Sequence, residues 1–131
     1  MTFKIEPDLR YAKTDEWIRV EGDEGVVGIS DYAQDALSDI VYVELPNTGD
    51  MFAAGTTFGV VESVKAASDL LLPVSGEVLA TNDAVVDSPE MLNSDPFGAA
   101  WLVRIRLSDP SELDALMDAT AYAAYLESRE H

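Results

Sequence analysis

The stretch from Phe58 to Val74 constrains the fold most strongly, because two apolar, strand-like segments flank a short interval of small and polar residues. Residues 58–64 are rich in valine, residues 70–74 are rich in leucine, and Lys65 lies between them. Two such runs joined by a few small or polar residues predict a β-hairpin, with Lys65 at or beside its tip. A hairpin tip holds a side chain in water on a rigid base, where another protein can reach it.

Lys65 is also one of only three lysines in the chain. The other two, Lys4 and Lys13, lie in the N-terminal arm. An ordinary solvated surface lysine is the simplest alternative interpretation. Lys65, however, lies between two apolar strands, and Pro73 and Gly76 follow where the returning strand needs a bend or an end. This setting instead favours a side chain that is modified and presented to partners.

The net charge of −17, from 25 acidic and 8 basic residues, narrows the choice of partners. Such a surface repels phosphate backbones and anionic lipid, so we expect no nucleic acid and no membrane among the partners. It attracts basic faces of other proteins, although the acidity is equally explained by solubility or a salty habitat. The length of 131 residues and the apolar fraction of 47% predict one folded domain, residues 1–131, and we expect a monomer.

Side chains that commonly carry out catalysis are scarce. The absence of cysteine excludes a disulfide framework and a thiolate nucleophile, and the one histidine is the terminal His131. Paired carboxylates, such as Asp35 with Asp39 or Asp114 with Asp118, are better explained as solvated helix faces. We therefore expect no catalytic residue, no metal and no enzyme activity. No apolar run reaches about 18 residues and no signal sequence is visible, which predicts a soluble, cytoplasmic protein.

The remaining patterns predict strands and short helices. Strands are expected at residues 16–21, 26–29, 40–45, 74–79 and 101–107, besides the hairpin at about 58–74. Helices are expected at residues 31–37 with Ser30 as N-cap, within 87–93 with Ser88 as N-cap, and at about 110–127 with Asp109 and Asp118 as N-caps.

A weak internal repeat indicates how these elements are arranged. A strand followed by a polar turn occurs at residues 41–50 and again at 74–83. The predicted fold class is therefore mainly β (α+β), a flattened antiparallel barrel-sandwich hybrid of two similar halves. Short peripheral helices and a C-terminal helical segment complete it.

Several long motifs resemble one family. Residues 59–69 (Gly-Val-Val-Glu-Ser-Val-Lys-Ala-Ala-Ser-Asp), followed by 73–78 (Pro-Val-Ser-Gly-Glu-Val), are similar to the lipoyl-attachment region of the glycine cleavage system H-protein. The resemblance spans residues 9–127 and continues in residues 28–34, 39–46, 95–98 with Trp101, and 109–113. Biotin carriers centre on Met-Lys-Met and acyltransferase lipoyl domains on Asp-Lys-Ala, which Val64-Lys65-Ala66 fits less well. Departures from the family pattern are Asp15 for a usual histidine, Ser38 for a usual glycine and Leu71-Leu72 for Tyr-Ala.

The resemblance implies a lipoyl-carrying shuttle protein that is not itself an enzyme. Lipoate would be joined to Lys65 as N6-lipoyl-lysine, by a lipoate ligase or an octanoyl/lipoyl transferase. The carrier would accept an aminomethyl group from the pyridoxal-phosphate (PLP) glycine decarboxylase (P-protein) and pass it to the tetrahydrofolate-dependent aminomethyltransferase (T-protein). The FAD-containing dihydrolipoyl dehydrogenase (L-protein) would then reoxidise it.

The resemblance also implies roles for individual residues. The attachment motif would be recognised through Glu62, Ser63, Val64 and Ala66. Thr14, Glu16 and Asp69 would shelter the amine of the loaded arm, and from the helical spacing we add Ile29, Ala33 and Leu37 as an apolar wall for its stem. The alternatives are a lipoyl or biotinyl carrier domain of another multienzyme system, or an interaction domain that carries nothing.

Overall fold

The structure, a computed structural model, describes residues 3–129, so His131 lies outside the described part of the chain. Nine strands form two antiparallel sheets. The strands are β1 (Arg10–Tyr11), β2 (Glu16–Glu21), β3 (Glu24–Ile29), β4 (Ile40–Glu44), β5 (Met51–Phe52), β6 (Thr57–Ser63), β7 (Ala67–Leu71), β8 (Gly76–Thr81) and β9 (Val103–Leu107). A six-stranded sheet has the order β1-β2-β3-β9-β8-β5, and a three-stranded sheet has the order β4-β6-β7. Between residues 3 and 129 the two sheets do not close into a barrel. The predicted mainly β class is confirmed.

The helices are short and lie between or after the strands. They are α1 (Asp31–Leu37), α2 (Asp83–Asp87), α3 (Met91–Ser94), a 3₁₀ helix (Pro110–Ala115) and α4 (Ala119–Arg129). Ser30 caps α1 as predicted, its side chain accepting a hydrogen bond from the Ala33 N–H. The α4 helix likewise begins after Asp118, whose carboxylate accepts from the Ala121 N–H at 2.8 Å. No helix within residues 3–129 combines the length and apolar character needed to cross a bilayer.

The predicted helical turn within residues 87–93 was wrong in its bounds and in its cap. Ser88 ends α2, donating its backbone N–H to Ala84, whereas α3 begins after Glu90 without a side-chain cap. The reason is tertiary packing. Val85 is fully buried in the core, so the chain is helical before Ser88 as well as after it.

The N-cap predicted at Asp109 is formed, but the α-helix expected directly after it is not. Asp109 accepts from the Ser111 N–H at 3.1 Å, as an N-cap does. The Glu112 carboxylate does not return to Asp109 but accepts from the Ser75 N–H at 2.8 Å and from its hydroxyl at 3.0 Å. A 3₁₀ helix stands where an α-helix was expected, and α4 extends to Arg129, two residues beyond the predicted end.

The two sheets share one apolar core. Alternate residues of their strands, including Val27, Val43, Val61 and Ile105, are buried together in it. A second cluster joins α4 to the N-terminal arm through stacked tyrosines, Tyr11 and Tyr122, whose ring centroids lie 4.3 Å apart. The two sheets therefore pack on a common core, and the β6–β7 hairpin forms two of the three strands of the smaller sheet.

Candidate functional site

Lys65 lies at the tip of the β6–β7 hairpin. The ladder ends with Glu62 opposite Ala67, and Ser63 to Ala66 form the turn. The Ser63 hydroxyl oxygen accepts from the backbone N–H groups of Lys65 at 3.1 Å and Ala66 at 3.0 Å, while Ser63 N–H donates to the Ala66 carbonyl at 2.8 Å. One serine side chain thus satisfies two of the backbone N–H groups of the turn.

The tip is exposed and leans against the end of α1. Val64 is 70% exposed, and Lys65 and Ala66 are exposed as well. The Val64 N–H donates to the Asp39 carbonyl at 3.0 Å. The Lys65 Nζ donates to the Ala36 carbonyl at 3.1 Å, in the last turn of α1, where the helix dipole favours a cation. An amine placed this way is open to acylation from the solvent side.

Glu16 is a buried carboxyl close to the C-terminal end of β7. It is 2% exposed, it accepts a short hydrogen bond from the Thr14 hydroxyl, and its second oxygen accepts from the Leu71 N–H at 3.1 Å. Burial raises the pKa of Glu16 to about 7, although the hydrogen bonds from Thr14 and Leu71 act in the opposite direction. Near neutral pH this group can therefore hold or release a proton, or pair with a cation.

The structure brings some of the expected shelter residues together and separates others. Thr14 and Glu16 are in contact, while Asp69 is exposed on β7, two residues before the Leu71 N–H that Glu16 binds. Ala33 and Leu37 lie half-buried on α1 against the core.

The sixth expected residue, Ile29, is 2% exposed and belongs to the core itself. Its β3 position directly opposite Glu16 turns the side chain inward. It therefore belongs to the core cluster against which Ala33 and Leu37 pack and does not line an open surface.

A polar network that sequence reasoning did not predict lies next to Glu16. Asp15, which has a φ of +79°, accepts from the Tyr122 hydroxyl at 2.8 Å and from Arg129 at 2.6 Å. The Tyr122 hydroxyl also lies 2.7 Å from the Ser30 hydroxyl. Burial raises the pKa of Tyr122, so this phenol stays protonated and donates. The one available signal was Asp15 itself, an acidic residue where the family resemblance expects a histidine.

No group of three or more His, Asp or Glu side chains that could hold a metal occurs in the part of the chain that the structure describes. The amine of Lys65 is a functional group that the tip presents to solvent. A group attached there would stand clear of the core, on a turn held by the Ser63 hydroxyl and by the Asp39 carbonyl.

Comparison with known proteins identifies the family. The family model described as "Glycine cleavage H-protein" matches residues 9–129. A glycine cleavage system H protein of Magnetococcus marinus is 52% identical, covering 95% of this chain and 89% of the relative. A probable glycine cleavage system H protein of Haloarcula marismortui is 50% identical, covering 97% of this chain and all of the relative.

A solved structure supports the same relationship. The crystal structure of a glycine cleavage system H protein from Mycobacterium marinum superposes with a TM-score of 0.83 at 37% identity, covering 92% of this chain and 97% of that one. The chain therefore belongs to the glycine cleavage H-protein family, whose members serve the glycine cleavage system as non-catalytic lipoyl carriers.

Proposed function

We propose that the lipoyl group of this chain is joined by an amide bond to Nζ of Lys65, giving N6-lipoyl-lysine, and that residues 1–131 act as one lipoyl-carrier domain. The observation that carries the proposal is the exposed amine at the tip of an internally hydrogen-bonded hairpin. The other lysines lack this setting: Lys4 pairs with Glu6 at 3.1 Å, and Lys13 lies in the N-terminal arm.

The residues around Lys65 suit recognition of the attachment site. Val64 and Ala66 flank the amine and are exposed, and Glu62 ends the ladder with an exposed carboxylate. Ser63 fixes the turn. A modifying enzyme therefore meets a preformed surface and does not have to order a flexible loop, which lowers the entropic cost of binding.

An arm on this tip would let the domain serve several enzymes. Lysine and lipoyl together extend about 14 Å, from standard bond lengths. When attached, lipoate supplies the dithiolane that this cysteine-free chain lacks, and its sulfur carries the aminomethyl group. The rigid sheets keep the attachment point fixed, so each docking replaces free diffusion with a high effective concentration.

The partners that we assign are glycine decarboxylase, the tetrahydrofolate-dependent aminomethyltransferase, dihydrolipoyl dehydrogenase, and a lipoate ligase or octanoyl/lipoyl transferase. The net charge of −17 supports brief, salt-sensitive encounters with basic faces of these enzymes. Such encounters suit a carrier that must leave one enzyme before it meets the next.

Glu16, Thr14 and Asp69 are proposed to shelter the amine of a loaded arm. A cation beside the buried Glu16 favours its ionised form and gains a charge-assisted hydrogen bond. Glu16→Ala is expected to shorten the half-life of the aminomethyl-loaded protein about tenfold, the equivalent of one such bond, while Glu77→Ala, on β8 and three strands away from β2 in the same sheet, has no effect. Equal half-lives for the two variants would contradict the shelter.

The attachment site is tested by mass spectrometry of lysine variants. Wild type, Lys65→Arg and Lys13→Arg are incubated with lipoate ligase, ATP and lipoate, and the modified peptide is located. We expect one lipoyl group on wild type and on Lys13→Arg, and none on Lys65→Arg. Modification of Lys65→Arg, or a biotinyl mass on the protein from its native cell, would contradict the proposal.

A further inference from the structure

The outer face of the three-stranded sheet adjoins the hairpin tip and presents an unusual set of side chains. Directly paired residues share one face of a sheet. Tyr42, Glu62 and Ala67 therefore form one row across β4, β6 and β7, and Glu44, Val60 and Asp69 form another. All of them except the half-buried Val60 are exposed. The opposite face of this sheet is the buried one.

This outer face is negatively charged without compensation. No lysine or arginine occurs in β4, β6 or β7. Among residues 3–129 the arginines that form ion pairs bind carboxylates elsewhere, and none pairs with Glu44, Glu62 or Asp69. The negative electrostatic potential of this face affects Tyr42. Its pKa is raised by its hydrogen bond to Glu44 and by the charges of Glu44 and Glu62.

An apolar anchor lies within the same face. A β-bulge at Val41 breaks the alternation of β4, so that Val41 and Tyr42 are 56% and 44% exposed in succession. Val64 at the tip is exposed as well, and its N–H donates to the Asp39 carbonyl two residues before Val41. Exposed aromatic and apolar side chains ringed by charge are typical of protein–protein interfaces.

A groove opens beside Tyr42. It has a volume of about 380 Å³ and lies between β4 and α2, with Glu44 and Asp83 among its lining residues. Two carboxylates at an open groove provide acceptors for the end of an arginine or lysine side chain.

We propose that this face, defined by Val41, Tyr42, Glu44, Val60 and Asp69, is the docking surface for an arginine- and lysine-bearing surface of the enzyme that acylates Lys65. The inference rests on the proposed attachment at Lys65. A second copy of this chain does not fit there, since two such acidic faces repel each other.

The geometry explains why the acylating enzyme is the partner. Before acylation the arm is absent, and a lysine side chain alone spans about 6 Å from Cα to Nζ. The acylating enzyme must therefore contact the surface next to the tip. Enzymes served by the completed arm can dock about 14 Å away and need not touch this face.

The test compares charge reversals at matched exposed positions. Glu44→Lys is placed on the face, Asp35→Lys on α1 at the other side of the tip, and Asp114→Lys on the 3₁₀ helix. Each changes the net charge equally. The full-length proteins are lipoylated with lipoate ligase, ATP and lipoate at low and high NaCl, and kcat/KM is followed by intact mass. Melting temperatures establish that each variant is folded.

We expect Glu44→Lys to lower kcat/KM about tenfold at low salt and to recover in high salt, because screening removes the electrostatic part of the encounter. Asp35→Lys and Asp114→Lys should stay within about twofold of wild type. Tyr42→Ala, which removes the anchor, should lower kcat/KM about fivefold at both salt concentrations.

Other outcomes overturn the inference and leave the proposed function separable from it. If wild type is lipoylated but Glu44→Lys and Tyr42→Ala match the controls, the docking face is wrong and the attachment at Lys65 stands. If Asp35→Lys alone is impaired, the enzyme approaches over α1. If wild type accepts no lipoyl group at all, the proposed function itself fails.

Discussion

The guanidinium of Arg129 donates to the carboxylate of Asp15 at 2.6 Å, and this contact ties the end of α4 to the loop that precedes β2. Arg129 also stacks over Tyr32 at 4.3 Å and Tyr125 at 5.0 Å from ring centroid to guanidinium carbon. Because Asp15 is adjacent to both Thr14 and Glu16, the C-terminal helix braces the segment that holds the buried carboxyl.

Asp15→Ala should destabilise the protein by about 2 kcal/mol, because it removes two acceptor contacts and leaves the Arg129 and Tyr122 donors without this partner. Asp15→Asn keeps one acceptor and tolerates the positive φ, so a loss of about 1 kcal/mol is expected. Urea denaturation gives both values. Identical stability of Asp15→Ala and wild type would show that α4 does not depend on this contact.

Ser63→Ala should loosen the hairpin tip while leaving the core intact. The hydroxyl that accepts from the Lys65 and Ala66 N–H groups is lost, and both amides become free to exchange. We expect hydrogen exchange of these two amides to accelerate about tenfold, with a global stability loss of at most about 1 kcal/mol.

Ser68→Ala is the matched control for the tip, since Ser68 is exposed on β7 and its hydroxyl donates only a long hydrogen bond, of 3.5 Å, to the Asp69 carbonyl among the described residues. Exchange at Lys65 and Ala66 should be unchanged in that variant. Equal protection in Ser63→Ala and wild type would mean that the turn is held by the strands alone.

Local signals predicted the elements that depend on neighbouring residues. Ser30 precedes an apolar helical pattern and caps α1, and Lys65 lies between two apolar runs and occupies the tip. The cap and the hairpin tip needed only residues within a few positions of each other. The class of fold was inferred from the strand patterns and the weak internal repeat along the chain.

The rest depended on contacts between distant residues. Asp15 accepts hydrogen bonds from Tyr122 and Arg129, which lie more than 100 positions away in the sequence. Glu112 accepts from the Ser75 N–H and not from the backbone at the start of its own helix. The burial of Val85 likewise decided where α2 lies. No local sequence pattern predicts these contacts and helix bounds, because they depend on the packing of the completed fold.

Gly28→Ala should be strongly destabilising, by about 3 kcal/mol, because a Cβ there would lie 2.5 Å from the ring of Trp17. That ring is fully buried and held by hydrogen bonds from its Nε1 to the carbonyls of Ile29 at 2.9 Å and Pro96 at 3.1 Å, so it cannot move aside freely. Gly22→Ala is the control. It meets open space at a φ of +66° and should lose only about 1 kcal/mol in the same denaturation assay.

The pKa of Glu16 predicts how stability changes with pH. Burial raises this pKa from 4.5 to about 7 in the folded protein, whereas the unfolded chain releases the proton near the ordinary value. Between these values unfolding releases a proton, so the free energy of unfolding falls as pH rises, and the loss is complete above about pH 7. Its size is about 3 kcal/mol, from about 1.4 kcal/mol per pKa unit.

Glu16→Gln isolates this effect, because glutamine does not titrate and can still accept from the Leu71 N–H. The many other carboxylates titrate in both proteins, so the difference in unfolding free energy between Glu16→Gln and wild type is the quantity to follow. It should shift in favour of the variant by about 3 kcal/mol from pH 4.5 to pH 8 in urea denaturation. The control is Glu77→Gln, at a half-buried position on β8, for which no change of this size is expected. If the difference in unfolding free energy between Glu16→Gln and wild type stays constant, Glu16 releases its proton outside this pH range. Glu16 would then not be a group that responds to a cation near neutral pH.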